Sequence, residues 1–148
     1  SDNVSVGKMR AKGFYKALEK NGIKVDENLV ILTETAEDFD TTSANFFDKN
    51  KVDAVFALDE HASVMAMKMG IKKGLKIPEE LSVIGFADGV WSRRYTPSLS
   101  TVSQHGPEIG EVATKMLIDK LESKEEVYNH KTTIVKTELR QRESTKKL

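Results

Sequence analysis

Apolar residues recur every three or four positions in several stretches of this chain, the spacing that places them on one face of a helix. The predicted helices cover residues 6–21, 61–73 and 107–122, with a shorter one after Asp40. Gly22 follows the first helix at the point where a left-handed residue commonly ends one. Pro107 suits the first turn of the last helix, because its missing N–H would have no partner there.

Short, continuous apolar runs lie between these helices and are typical of strands buried on both faces. They cover residues 29–32, 54–58 and 83–86. Residues 99–102 are also β-like, and the segment 132–139, rich in Thr, Ile and Val, predicts one further strand. Because buried strands alternate with helices, we predict an α/β fold with right-handed crossovers and a parallel sheet.

The composition narrows the range of functions. The chain has 148 residues, enough for one domain, and its 23 Lys and Arg balance its 23 Asp and Glu. A domain that binds nucleic acid through phosphates normally carries a basic surplus, and only the tail residues Lys146 and Lys147 suggest one here. Since Cys is absent, disulfides and thiolate metal sites are excluded. No apolar run approaches the ~20 residues needed to cross a bilayer, so no membrane partner is expected.

No catalytic, metal or cofactor site is expected from the motifs. The histidines, His61, His105 and His130, lie far apart in the sequence and have no partner at a ligand spacing. The glycines of segment 85–89 lack the pattern of a dinucleotide-binding loop, and no Walker loop or nucleophile elbow is present. We therefore expect neither an enzyme nor a bound cofactor.

Two acidic residues lie just after predicted strands. Asp59 comes after the strand at 54–58, and Asp88 after the strand at 83–86. Ligands of parallel α/β sheets bind beyond the carboxyl ends of the strands, and carboxylates accept hydrogen bonds from the hydroxyls of a sugar. Both residues are therefore candidates for ligand binding. For Asp59 the alternative is a helix cap, since a helix is predicted to begin next to it.

Four stretches resemble conserved motifs of the lactose/galactose repressor (LacI/GalR) family of bacterial transcription regulators, in the same order. They are R-A-K-G-F-Y-K-A-L from residue 10, D-A-V-F-A-L-D from 53, I-P-E-E-L-S-V-I-G-F from 77 and Y-T-P-S-L-S-T-V-S-Q from 95. The resemblance covers nearly the whole chain. It implies a three-layer lobe of a periplasmic-binding-protein-like (type I) fold, in which a small molecule, with a sugar favoured, binds between two lobes.

The resemblance also implies a division of the chain. Residues 1–102 correspond to the C-terminal lobe of the effector-binding domain, residues 103–125 to a crossover helix that belongs to the N-terminal lobe, and residues 126–148 to the return strand and tail. The chain starts without Met and is expected to be a fragment. Operator DNA would be bound only through a headpiece that this chain lacks, and the intact regulator would be cytoplasmic.

The effector contacts that the resemblance implies are only partly matched. Arg10 aligns with the arginine that clamps the effector, and Phe39 falls where an aromatic side chain often stacks on it. The alternatives are an exposed helix arginine and a loop aromatic packed on the core. Leu58, Ala87 and Val6 replace polar residues that are common in the family, so Asp88 is a candidate substitute for the missing acid.

A homodimer is the second partner that the resemblance implies. The helix at 61–73 is apolar on more than one face, and one face is left over once it packs on the sheet. The predicted interface residues are Val64, Met65, Met67, Trp91 and Tyr95. The alternative is that the methionines fill the core. The apolar stripe of the helix at 107–122 is expected to lie exposed in this chain, since the lobe that would cover it is absent.

Two other functional classes remain open from the sequence. A sugar-binding protein of a transport system shares the predicted fold, and only sequence outside the chain would separate it from a regulator. An α/β enzyme is the third class, although the chain offers no catalytic set.

Overall fold

The computed structural model of the protein describes residues 5–33, 36–86, 88–123 and 131–146. The helices are α1 (Ser5–Lys20), α2 (Ala36–Lys49), α3 (Glu60–Lys72) and α4 (Gly106–Glu122), with short 3-10 helices at Glu27–Leu29 and Trp91–Arg93. The strands are β1 (Ala54–Ala57), β2 (Ser82–Phe86), β3 (Ser100–Ser103) and β4 (Glu138–Arg140). Gly22 and Gly74, which follow α1 and α3, both have positive φ, as residues that end a helix commonly do.

The four strands form one sheet in the order β1-β2-β3-β4. The first two pairs are parallel, with Val55 opposite Val83 and Ile84 opposite Ser100. The prediction of a parallel sheet is therefore confirmed for β1 to β3. The last pair, β3 with β4, is antiparallel. The prediction of one strand over residues 132–139 is wrong, because only Glu138–Arg140 find hydrogen-bonding partners on β3.

Helices cover both faces of the sheet, as the three-layer prediction requires. Side chains alternate between the two faces along each strand. Val55 and Val83 point towards α3, where they join its core residues, whereas the ring of Phe56 stacks on Phe14 of α1 with 5.4 Å between centroids. α1 and α3 thus lie on opposite sides of the sheet.

The fully buried core lies on the α3 side. Leu81, Val83 and Leu99 are at most 1% exposed and pack with Ala66 and Met67 of α3. This corrects the prediction that Met67 lies in a dimer interface. Met67 faces the sheet and is 4% exposed within this one chain, so its side chain cannot contribute to an outer surface.

The strand predicted at residues 29–32 is not present. Asp26 caps the 3-10 helix Glu27–Leu29 through a hydrogen bond from the Asn28 N–H, so the first part of the apolar run turns. Residues 30–33 join no strand of the sheet, and the side chains of Leu29 and Leu32 are largely exposed. The apolar run predicts a strand locally, but a strand forms only where a neighbouring strand is available to pair with it.

α4 projects its apolar residues into solvent. It has no buried residue, and its most exposed apolar side chains are Ile109, Leu117, Ile118 and Leu121. The expectation of an exposed stripe is confirmed for Ile109, Leu117 and Leu121, whereas Val112 and Met116 of the same predicted stripe are half-buried. Burying one such side chain stabilises a fold by roughly 1.5–3 kcal/mol, so this surface has a strong tendency to be covered.

Candidate functional site

The side chain of Arg10 reaches across the carboxyl ends of all three parallel strands. Its Nη1 donates to the carbonyl of Leu58, which follows β1, at 2.6 Å. Its Nη2 donates to Oε1 of Gln104, which follows β3, at 3.0 Å. The guanidinium carbon lies 4.1 Å from the ring centroid of Phe86, the last residue of β2. Arg10 thus lies at the carboxyl ends of the parallel strands, where the sequence predicts a ligand site.

The surroundings of Arg10 partly remove its charge from water. Burial lowers the pKa of Arg10 from its ordinary value, and the negative charge of Asp59 opposes that shift. The cation–π contact with Phe86 also favours the charged form. Because arginine has so high an intrinsic pKa, the guanidinium stays positive at every physiological pH. Arg10 is therefore a fixed cation at the end of the sheet.

Asp59 is the N-cap of α3. Its Oδ1 accepts a hydrogen bond from the Ala62 N–H at 2.7 Å, which satisfies one of the free donors of the first turn. The helix-cap alternative is confirmed for this residue. Its carboxylate also lies close enough to Arg10 for their charges to interact, so it is part of the same end of the sheet.

An aromatic pair lies beside this cap. The ring of Phe39 on α2 meets the ring of His61 on α3 in an edge-on arrangement, with 6.2 Å between centroids. Phe39 is half-buried and His61 is exposed. His61 is two residues from Asp59, so the aromatic contact lies near the start of α3.

Asp88 is held in an internal network of hydrogen bonds. Its side chain is only 6% exposed, and it forms ion pairs with Arg140 and, at 2.6 Å, with Arg142. The hydroxyls of Thr101 and Ser92 donate to the same carboxylate. Burial alone would raise the pKa of Asp88, but the hydrogen bond and charge of Arg142, with help from Thr101 and Arg140, lower it below its ordinary value. Asp88 is thus an ionised acid whose partners lie within the protein.

The structure does not gather the predicted effector residues equally. Arg10 and Asp59 interact, and Phe39 contacts His61 near the start of α3. The contacts of Asp88 are instead with β3 and with the arginines of β4 and the tail. Ala87 and His130 lie outside the described residues.

Sequence reasoning missed Gln104 and the two arginines of the Asp88 network. Gln104 follows β3 just as Leu58 follows β1, so the rule on strand ends could have found it. Arg140 is the last residue of β4 and Arg142 lies two residues beyond it, but their partner Asp88 is more than 50 residues away in the sequence. No local pattern identifies such a pair.

The remaining predicted interface residues have different environments. Trp91 is exposed and lies 5.7 Å from the Arg94 guanidinium, whereas Tyr95 packs against the core cluster. Val64 and Met65 on α3 are half-buried. Trp91 offers the largest apolar surface of this group.

No group of His, Asp and Glu in the described ranges is placed to hold a metal ion. No helix within those ranges is long and apolar enough to cross a membrane.

Comparison with known proteins gives a consistent match. Residues 1–145 match the family model of the periplasmic binding protein-like domain. The chain is 34% identical to the HTH-type transcriptional regulator DegA of Bacillus subtilis over 104 residues, which are 70% of this chain and 31% of DegA. It superposes on a LacI-family transcriptional regulator from Sanguibacter keddieii with a TM-score of 0.85 and 28% identity, covering 93% of this chain and 52% of that one.

A second solved structure contains a ligand. The complex of the transcriptional regulator CelR with cellobiose matches with a TM-score of 0.81 and 26% identity, covering 91% of this chain and 41% of CelR. The chain thus spans between about a third and a half of the relatives that it matches.

Proposed function

The chain belongs to the periplasmic binding protein-like domain family, in the form found in LacI-family transcription regulators, and on that premise we propose that it is the effector-sensing part of a DNA-binding repressor. One observation carries the proposal. A single cation, Arg10, links the carboxyl ends of three parallel strands, where α/β proteins bind their ligands. The relatives support a regulator over the transport protein that shares the fold.

The favoured effector is a sugar. The site offers arginine donors, an acid acceptor in Asp59 and the rings of Phe39 and His61, against which the C–H face of a sugar ring packs. CelR, a neighbour in structure, binds cellobiose. We propose that Asp88 lies at the edge of this site. A ligand reaches its carboxylate only by displacing a hydroxyl or guanidinium partner.

The exposed stripe of α4 supports a division of the chain in which residues 1–102 and the return segment 126–148 form one lobe and residues 103–125 pack on another. Four large apolar side chains on one helix of a monomer are rarely left in water. The matched LacI-family structure contains about as many residues outside the matched region as within it, enough for a second lobe.

We also propose two macromolecular partners, a second copy of the protein and operator DNA. A homodimer is proposed through Val64, Met65 and the exposed Trp91, with Tyr95 supporting Trp91 from the core. Operator DNA is proposed to bind a headpiece outside this chain, because the chain has no net charge. A regulator of this kind acts in the cytoplasm, and we propose no enzymatic activity and no cofactor for it.

The test is DNA binding by two forms of the protein. The full-length protein is expected to bind promoter DNA upstream of its own gene with strong salt dependence, because phosphate contacts release counterions. The 148-residue chain alone is expected to leave the same DNA unshifted in a gel at matched concentrations. Full-length protein that shows no preference for this DNA over a scrambled fragment would contradict the regulator assignment.

A further inference from the structure

We propose that the outer face of α1 is a docking surface for an acidic amphipathic helix of another protein. The proposal adds a partner to the effector, the second copy and the operator DNA, and it depends on none of them. It starts from an uneven distribution of charge. α1 carries five basic residues and one acidic residue, a net charge of +4, in a chain whose net charge is zero.

Four of these charges form a row along the helix. Lys8, Lys12, Lys16 and Lys20 follow one another at intervals of four residues, so their positions are about 6 Å apart along one side of α1. All four are exposed, and none forms an ion pair with any residue that the structure describes. Because like charges four residues apart destabilise a helix, this lysine row lowers the stability of α1 and indicates a role outside the fold.

The lysine row faces away from the sheet. Phe14 of α1 stacks on Phe56 of β1, and Leu18, one turn further along, is half-buried. The helical repeat places Phe14 and Leu18 on the side of α1 opposite the lysines. The lysine row is therefore an outer surface of the lobe.

Apolar surface lies beside the lysine row. Val6, Met9 and Gly13 are separated by three and four residues, which places them on one face of α1. Met9 is 68% exposed and Val6 is 48% exposed. A Cβ at Gly13 would meet no atom within 4 Å, so the helix leaves a gap there between its neighbouring side chains. Methionine adapts well to a partner surface, and side chains of a second helix pack into gaps of this kind.

The combination of charge and apolar surface selects the partner. A helix with acidic residues beside an apolar row pairs its carboxylates with the lysines and packs its apolar side chains on Met9 and Gly13. A DNA backbone offers phosphates to the lysines but no apolar surface to Met9. A second copy related by a two-fold axis would bring the lysine row against itself, where like charges repel. An acidic amphipathic helix fits both features.

The experiment measures the binding of two labelled peptides to the full-length protein by fluorescence anisotropy. Both peptides have about 20 residues, enough to form a helix, with Leu in one row along the helix. The first has Glu on both sides of that row, and the second has Gln at the same positions. We expect the Glu peptide to bind about tenfold or more tightly at low ionic strength, because several exposed ion pairs add up, and added salt should reduce the difference.

Three variants assign the binding to α1. Lys12→Gln combined with Lys16→Gln should weaken binding of the Glu peptide about fivefold or more. Gly13→Ala should weaken binding of both peptides severalfold by filling the gap, although the same change stabilises the helix, so the loss is not a loss of structure. Lys68→Gln combined with Lys72→Gln is the matched control, because these lysines are exposed and four residues apart on α3, and it should bind like the wild type.

Equal binding of the two peptides, or undiminished binding of the Glu peptide by the double variant in α1, would overturn the proposal. Duplex DNA of unrelated sequence that loses as much affinity for this variant as the Glu peptide does would assign the lysine row to DNA instead. A change from dimer to monomer in sedimentation of the same variant would assign it to a second copy.

Discussion

Replacing Asp88 by asparagine is expected to destabilise the protein by about 3 kcal/mol, the lower end of what loss of one partner in a buried ion pair costs. The carboxylate is 6% exposed and Arg142 is 14% exposed, so the variant leaves a largely buried guanidinium without an anion. Arg140 is 35% exposed and regains some hydration, which is why the lower end of the range applies. Chemical denaturation at neutral pH measures the difference.

The same variant should remove a pH dependence. Because the pKa of Asp88 is lowered in the folded state, its stabilisation is fully present above the unfolded pKa, near 4, and is lost as the pH falls through the folded pKa. The stability gap between the wild type and Asp88→Asn should thus be constant above about pH 5 and shrink in more acidic solution.

Glu143 provides the control for this prediction. Its carboxylate accepts hydrogen bonds from the N–H and hydroxyl of Ser98, which lower its pKa, but it is exposed to solvent. Glu143→Gln should therefore cost much less than Asp88→Asn. If the two variants unfold at the same denaturant concentration, the network around Asp88 does not stabilise the fold as described.

Replacing Gly85 by alanine is expected to cost about 2–3 kcal/mol, because β2 and α3 approach too closely there for a side chain. A Cβ at this position would lie 2.0 Å from Oγ and 2.8 Å from Cβ of Ser63. Ser63 is fully buried, and its hydroxyl donates to the Asp59 carbonyl at 2.5 Å, so it has no room to turn away. α3 must then move away from the sheet. Thermal denaturation should show the loss of stability as a lowered Tm.

Two further variants separate this close contact from a general effect of alanine. Ser63→Gly in the Gly85→Ala background removes both clashing atoms and should restore part of the lost stability. Gly13→Ala in α1 meets no atom within 4 Å and should raise stability by roughly 0.5–1 kcal/mol through its better helix propensity. A Gly85→Ala protein as stable as the wild type would show that the packing of α3 on β2 is looser than described.

The elements predicted correctly are those with strong local signals. α3 begins next to its cap Asp59 and ends before Gly74. β1 and β2 are short apolar runs bounded by residues of this kind. Residues 29–32 and 132–139 have similar apolar runs, but a strand also needs a neighbour at the right register, which local pattern does not encode. Met67 shows the same limit, since several faces of α3 are apolar and only packing selects one.

The candidate site likewise contains some residues that the sequence identified and others that it did not. Asp59 could be predicted from its position after a strand and before a helix, whereas Arg10 was identified only through the family resemblance. The partners of Asp88 could not, because Arg140 and Arg142 reach it from the far end of the chain. Their contact depends on the antiparallel return of β4 beside β3, which brings Arg140 opposite Thr101.

The central claim, that a ligand at Arg10 controls DNA binding, is tested most directly by titrating effector into the full-length protein bound to labelled operator DNA and following fluorescence anisotropy. Relative to the wild type, Arg10→Ala should need about tenfold or more effector for the same change in operator affinity, because a hydrogen-bonded charge is lost from the site. Its operator affinity without effector should stay within about twofold of the wild type, since we propose that DNA binds outside this chain. An Arg10→Ala protein that responds at the same effector concentration as the wild type would contradict the account.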